Sequence, residues 1–333
     1  MIPEFFSRRP EWADRIERIG ELLGRVSVFE EMAPGDLEPR RANRIASVHS
    51  STAIEGNRLT LSQVSDLADG VPVFAPPRAV LEVENALAAY DALDSFDPWS
   101  VDDLLRAHGL LTVGLVGESG AFRRVDVEIV GADGTVLHTG SRAEKVPRLV
   151  RELLEWGSGS SDHPLVVSSA VHYLIEPIRP FRDGNGRIGR LWQTLILSSW
   201  RPVFAWMPTE TLIRRHQAGY YDALQASHEP EIDAAPFIEY MLDVIGESLG
   251  EYESQARRQD VGVNVGINVG VKARVIDLLR SDSTLSAATL ADLLGKTART
   301  AERHLSQLKA EGRVRRVGPP KTGRWVVVED PDE

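Results

Sequence analysis

Cysteine is absent from this chain of 333 residues. That excludes disulfides, thiol nucleophiles and metal sites built on thiolate. No apolar run is long enough to cross a bilayer, and Met1–Arg9 lacks the apolar core of a secretion signal. The expectation is a cytoplasmic protein with no membrane contact. Positive charge is also short: 38 Lys and Arg stand against 49 Asp and Glu, a net −11. Such a balance argues against bulk affinity for nucleic acid, although the charge is unevenly spread. What is present is ordinary for a globular protein: 42% hydrophobic and 26% charged residues. The length suits two or three domains.

The most informative stretch is Arg179-Pro180-Phe181-Arg182-Asp183-Gly184-Asn185-Gly186-Arg187-Ile188-Gly189-Arg190. It lies between two helix-like apolar runs, Pro164 to Ile175 and Leu191 to Trp200, so it reads as a loop entering a helix. Gly184 and Gly186 allow a tight turn and close approach of backbone to a ligand. Asp183 or Asn185 is placed to cap the following helix. The free N–H groups at that helix start favour an anion. Arg187 and Arg190, three apart, share a helix face and can both fork onto phosphate oxygens. Asp183 supplies the hard oxygen that a phosphate-bound magnesium ion needs. Turn, carboxylate and spaced arginines together make a polyphosphate cradle.

These twelve residues resemble the signature of the Fic family, His-Pro-Phe-x-(Asp/Glu)-Gly-Asn-Gly-Arg-x-x-Arg. Every fixed position matches except the first, where Arg179 replaces the family's catalytic histidine. The resemblance implies a mainly α protein with a helical Fic fold. It also implies ATP and Mg²⁺ as substrate and cofactor, and transfer of AMP to a hydroxyl of a target protein (Ser, Thr or Tyr). Arg182, Asp183, Gly184, Asn185, Gly186, Arg187 and Arg190 would bind the nucleotide, with Asp183 as the metal ligand. The family histidine takes a proton from the attacking hydroxyl. Arginine, with a pKa above about 12, cannot do so. Catalysis is therefore expected to be impaired or lost while the nucleotide site survives. His172, the nearest imidazole, is expected to serve packing, because Pro177 breaks the helical register between it and Arg179.

Upstream, Trp12 to Val26 and a stretch from Glu38 through His49 have helical spacing. The second leads into Ser51-Thr52-Ala53-Ile54-Glu55-Gly56, which on its own reads as a helix end with a glycine cap. It also matches the family's inhibitory motif, (Ser/Thr)-x-x-x-Glu-(Gly/Asn). By that resemblance Ser51, Glu55 and Gly56 form a brake, with Glu55 pairing to Arg190 in place of the nucleotide's γ-phosphate. Further helices are expected at Leu59 to Leu67, Arg78 to Leu93, Val101 to Val116 and Lys145 to Trp156. His108, inside one of them, reads as structural.

Val125 to Ile129 and Val136 to His138 alternate like strands around Asp133-Gly134, a hairpin signal. The resemblance makes this hairpin a flap that holds a target segment by strand addition. Ile213 to Leu224 comes after the signature helix, and there Tyr221 or Tyr220 would lie against the nucleobase. Phe237 to Leu249 is expected to be the last helix of this region.

Residues 253–270 change character. Val261-Gly262-Val263-Asn264-Val265-Gly266-Ile267-Asn268-Val269-Gly270 is repetitive and too rich in glycine for a helix, which suits a short extended linker or an edge strand. Beyond it, helices at Val271 to Leu279, Ala287 to Leu294 and Ala298 to Glu311, then strands around Arg313–Val317 and Arg324–Val328, resemble a winged helix. Arg299, Arg303, Arg315 and Arg316 would carry contacts to DNA phosphates there; a surface used for protein contacts alone stays open. The expected domains are thus an N-terminal helical region 1–97, a Fic core 98–252, a linker 253–270 and a winged helix 271–328. Expected partners are a target protein, DNA through the last domain, and a second copy of the chain in a homodimer. The competing function is a catalytically inactive, nucleotide-binding and DNA-binding regulator.

Overall fold

The structure, a computed structural model, describes residues 6–32, 37–130, 136–228, 232–294, 298–310, 312–317 and 324–328. The expected turn at Asp133-Gly134 lies outside the described residues. The chain divides into two compact units, Met1–Glu253 and Ser254–Glu333.

The first unit begins with α1 (Trp12–Met32), α2 (Leu37–Ile54), α3 (Leu61–Ala68), α4 (Pro77–Asp91) and α5 (Val101–Thr112). Local chemistry sets several of these limits. Thr60 and Gln63 form a reciprocal capping box at the start of α3. Ser100 accepts the Asp103 N–H at the start of α5, whose first turn carries Asp102 and Asp103 against the helix dipole. Next come β1 (Glu128–Val130) and β2 (Val136–Thr139), an antiparallel pair in which Glu128 faces Thr139 and Ile129 faces His138. The chain continues through α6 (Val146–Gly159), α7 (Pro164–Ile178), α8 (Asn185–Trp200), α9 (Thr209–Arg215), α10 (Gln217–Ala226) and α11 (Ala235–Ser281).

At the centre stands α7. Its residues from Leu165 to Ile175 are all buried, polar Ser168, Ser169 and His172 included. A helix apolar on every side belongs inside. It packs closely on α8, and α6 covers another of its faces. The N-terminal helices join the same apolar core: Ile19, Val48, Val83 and Tyr90 sit in one cluster with Tyr173, Leu191 and Phe237. Residues 1–97 therefore share one core with α7, α8 and the start of α11.

Two expectations about backbone need correction. Pro177 does not end α7, which runs through it to Ile178. In the last turn a proline forfeits one hydrogen bond, and the Arg179 N–H still reaches the Ile175 carbonyl at 2.8 Å. Residues 253–270 are not extended, because α11 passes through them. Glycines 262, 266 and 270 recur every four residues, a spacing close to one helical turn that places them on one face. Composition points the other way, and propensity is a weak prior.

In the second unit, α11 contributes Val275, Ile276 and Leu279 to a small core. It is completed by α12 (Ala287–Leu294), α13 (Ala298–Ala310), β3 (Val314–Val317) and β4 (Arg324–Val327). Leu290, Leu305, Leu308, Val314 and Trp325 fill it. β3 and β4 are antiparallel, with Arg316 opposite Trp325. Among the described residues, no helix is long and apolar enough to cross a membrane.

Candidate nucleotide site

The signature loop leaves α7 at Arg179, the one non-glycine residue among those described with positive φ, at 45°. A left-handed conformation at a residue with a Cβ costs roughly 1–3 kcal/mol and must be held by its surroundings. The holder is Arg123. Its buried guanidinium donates to the carbonyl oxygens of Arg179 at 2.6 Å, Val125 at 2.7 Å, Ile178 at 3.3 Å and Ser141. Its backbone N–H donates to the Pro180 carbonyl at 3.0 Å. One side chain thus ties the signature loop to both segments that flank the β1–β2 hairpin. Burial pulls the pKa of this arginine below its ordinary value.

His108, from α5, braces the next residues. Its ring stacks on Phe181 with centroids 3.6 Å apart. Nδ1 accepts the Gly120 N–H at 3.1 Å, which leaves Nε2 to donate to the Asp183 carbonyl at 3.0 Å. The ring is neutral in this arrangement, and burial lowers its pKa to about 4. Asn185 is buried, and its amide is spent on the Phe181 N–H and C=O, at 3.0 and 2.9 Å. It therefore shapes the loop from within.

Neither Asp183 nor Asn185 caps α8, contrary to expectation. The N-cap is Gly184, at φ 82°, and no side chain satisfies the first N–H groups of the helix. A Cβ at Gly184 would also press on Thr112 at 3.0 Å. The helix start is left open to an anion, with its dipole favourable.

Arg190 is the buried cation behind it. Nε donates to Ser51 Oγ at 3.0 Å, and Nη2 donates to the Ser51 carbonyl at 3.0 Å and to Glu55 Oε1 at 2.7 Å. Glu55 arrives there because α2 ends in a Schellman turn. Gly56 has φ 94°, the Asn57 N–H reaches the Thr52 carbonyl, and the Gly56 N–H reaches that of Ala53. The glycine cap and the delivered carboxylate are therefore one feature. Glu55 Oε1 lies against the Cα of Gly186, where any Cβ would collide with it.

Arg187 is also buried. Its Nη1 lies 2.8 Å from Glu82 Oε1, on α4, and its Nη2 3.6 Å from Asp183 Oδ1. Among the described residues, neither Nε nor Nη1 has an aligned hydrogen-bond partner. Asp183 itself is half exposed, accepts the Gly184 N–H at 2.7 Å, and lies 4.0 Å from Arg78. These groups border a cleft of about 640 Å³ that is also lined by Glu55 and Phe74.

Among the described residues, no three His, Cys, Asp or Glu gather as a ready metal site. Mg²⁺ nevertheless suits a single carboxylate completed by substrate phosphates and water, and Asp183 on the cleft fits that pattern.

The Arg179 guanidinium sits 3.6 Å from Glu176 and is partly exposed. Burial raises the Glu176 carboxyl above the usual range, while Arg179 opposes it. His172 is fully buried, with Nδ1 2.6 Å from Gln193 Oε1 and Nε2 3.2 Å from the Tyr220 hydroxyl. Its pKa falls to about 3, chiefly through burial. Tyr220 is an interior residue, whereas Tyr221 is 48% exposed and does not line the cleft. Arg182 is exposed on the loop. Of the remaining expected residues, Arg315 and Arg316 are exposed on β3, with Arg316 over the Trp325 ring at 5.3 Å. Arg299 and Arg303 belong to α13, and their side chains lie outside the described residues.

Arg123 and Glu82 escape sequence reasoning, and His108, read as structural, gives no sign there of the loop that it braces. Each acts on a segment at least 55 residues away, and no local pattern marks them.

The Fic/DOC family model matches residues 98–197. A crystal structure of a Fic family protein from Desulfovibrio desulfuricans is 36% identical, covers 99% of both chains and superposes with a TM-score of 0.70. The protein adenylyltransferase Fic of Culex quinquefasciatus is 25% identical over 252 residues, 72% of this chain and 47% of its own. The protein adenylyltransferase fic-1 of Caenorhabditis elegans is 29% identical over 221 residues, 62% of this chain and 40% of its own. The chain thus spans about half the length of these adenylyltransferases or less.

Proposed function

The chain belongs to the Fic family, and from that premise we propose that it binds ATP in the cradle, is restrained by Glu55, and has lost most of the family's AMP-transfer chemistry. The observation that carries this reading is the Glu55 carboxylate, which takes Nη2 of Arg190 and lies against Gly186 at the start of α8. A carboxylate satisfies a guanidinium much as a terminal phosphate oxygen does. Nε and Nη1 of Arg187, which make no aligned hydrogen bond among the described residues, would take further phosphate oxygens.

In the reaction class of the named relatives, a protein hydroxyl attacks the α-phosphorus of ATP and pyrophosphate leaves. Asp183 would hold Mg²⁺ together with the phosphates, and the ion would neutralise charge on the leaving group. Arg187, Arg190 and the α8 N–H groups would fix the polyphosphate, while Gly184 and Gly186 let it come close. The β1–β2 hairpin, a two-stranded sheet whose outer edges pair with no further strand among the described residues, would be the place for a target segment to add as a strand. The attacking hydroxyl must still lose its proton. Arg179 stands where the family's base stands and cannot accept it. Loss of a general base typically costs about 10²–10⁴-fold in rate.

The test is incubation with labelled ATP. Glu55→Gly should incorporate little label, and the double variant Glu55→Gly/Arg179→His should incorporate at least about 10²-fold more. Silence of the double variant while it still binds ATP would refute the lost-base account.

A second reading is favoured by Arg315 and Arg316, exposed on the hairpin of the second unit. With three helices and a two-stranded wing, that unit would contact DNA phosphates in a regulator whose first unit senses nucleotide.

A further inference from the structure

Glu55 pairs with Arg190, one of the cradle's two buried arginines; Arg187, the other, has a different partner. Its side chain is 5% exposed, and Glu82, 18% exposed, is the carboxylate nearest to it, at 2.8 Å. The pair is electrostatically close but poorly formed as a fork. Among the described residues, neither Nε nor Nη1 makes an aligned hydrogen bond, and Asp183 is 3.6 Å from Nη2. Glu82 therefore compensates the charge of Arg187 without satisfying its donors.

The other oxygen of Glu82 is also engaged. Oε2 accepts from Asn57 Nδ2 at 2.8 Å, and the same nitrogen is 3.0 Å from the Ala79 carbonyl. Asn57 Oδ1 accepts the Leu59 N–H at 3.0 Å. Asn57 comes directly after Glu55 and Gly56 and closes the Schellman turn that aims Glu55 at Arg190.

We propose that Glu82 is a second plug: a counter-ion that polyphosphate displaces from Arg187, joined through Asn57 to the turn that carries Glu55. The proposal rests on the nucleotide-binding reading above. Two carboxylates then guard two arginines, and one asparagine links the pair. Two effects compete when Glu82 is neutralised. Arg187 loses a positioning contact, which weakens binding. It is also left buried without a counter-ion, a costly state that an incoming phosphate relieves. The second effect wins, because the Glu82 contact supplies charge and little hydrogen-bond geometry.

The test is calorimetric titration of the full chain with Mg-ATP and, separately, inorganic tripolyphosphate, in the Glu55→Gly background. Adding Glu82→Gln should tighten both ligands about tenfold, with Glu82→Asp falling between. With Arg187→Met also present, the Glu82→Gln gain should shrink below about twofold. Unchanged or weaker binding in a variant that keeps its melting transition overturns the proposal, and Glu82→Asp decides if Glu82→Gln does not fold. If tripolyphosphate tightens while ATP never binds, the counter-ion role stands and the nucleotide reading falls. If ATP binds equally with and without Glu82→Gln, the reverse holds. If neither ligand binds any variant, both are overturned.

Discussion

Glu55 Oε1 lies 2.7 Å from Nη2 of Arg190, 135 positions further along the chain. The guanidinium is almost wholly buried, and the carboxylate about one-third exposed. That asymmetry suits a replaceable partner: the cation is fixed in the core, and its anion comes from an element that solvent can reach. Burial works against the charge of Arg190, but Glu55, through charge and hydrogen bond, together with Tyr220 and Tyr90 outweighs it and holds the pKa above the ordinary arginine value.

Acid should loosen the loop before it loosens the rest of the core. His108 has an unfolded pKa near 6.5 and a folded value of about 4. The unfolded chain therefore binds more protons between these values, and stability falls as pH drops through that window. The contribution is fully present above about 6.5 and, by about pH 4, has fallen by about 3 kcal/mol. His172 extends the loss towards pH 3. Melting curves of wild type and His108→Asn between pH 7 and 4 test this. The variant should start lower and lose less, and parallel slopes would contradict the assignment.

Gly189, on α8, lies against His172, on α7. A Cβ there would lie 2.7 Å from His172 Cδ2, and the ring is held at both nitrogens, so it cannot retreat freely. Alanine would gain up to about 1 kcal/mol of helix propensity and lose roughly 1–3 kcal/mol to overpacking. Gly189→Ala should therefore lower the melting temperature, whereas an unchanged or raised value would show that the ring yields.

The difference between what is legible in the sequence and what is not is one of sequence distance. The cradle can be read because Asp183, Gly184, Gly186, Arg187 and Arg190 are nearly contiguous and their chemistry depends on spacing. Its supports cannot. His108 reaches Asp183 across 75 residues and Arg123 reaches Arg179 across 56, so only the packed core brings them together. Asn185 reads as a ligand-facing residue from its place in the motif, yet its amide turns inward to Phe181. The glycine-rich repeat misleads because its composition suggests extension while its period of four suits a helix. The second unit is easier, since each of its short elements carries its own hydrophobic pattern.

The basic hairpin of that unit makes its own prediction. If Arg315 and Arg316 contact phosphates, duplex DNA should be retarded at low salt, and Arg315→Ala/Arg316→Ala should weaken this. Removing one phosphate-binding arginine should also reduce the salt slope by about 0.9. A wild-type chain that leaves duplex unshifted would remove the DNA reading.

On the proposed reading a polyphosphate and the Glu55 carboxylate compete for one place, and calorimetric titration of wild type and Glu55→Gly with Mg-ATP measures that competition. Binding should be at least about tenfold tighter in Glu55→Gly, the order expected when a charge-assisted contact no longer has to be broken. Equal affinities, or no heat from either protein, would contradict it.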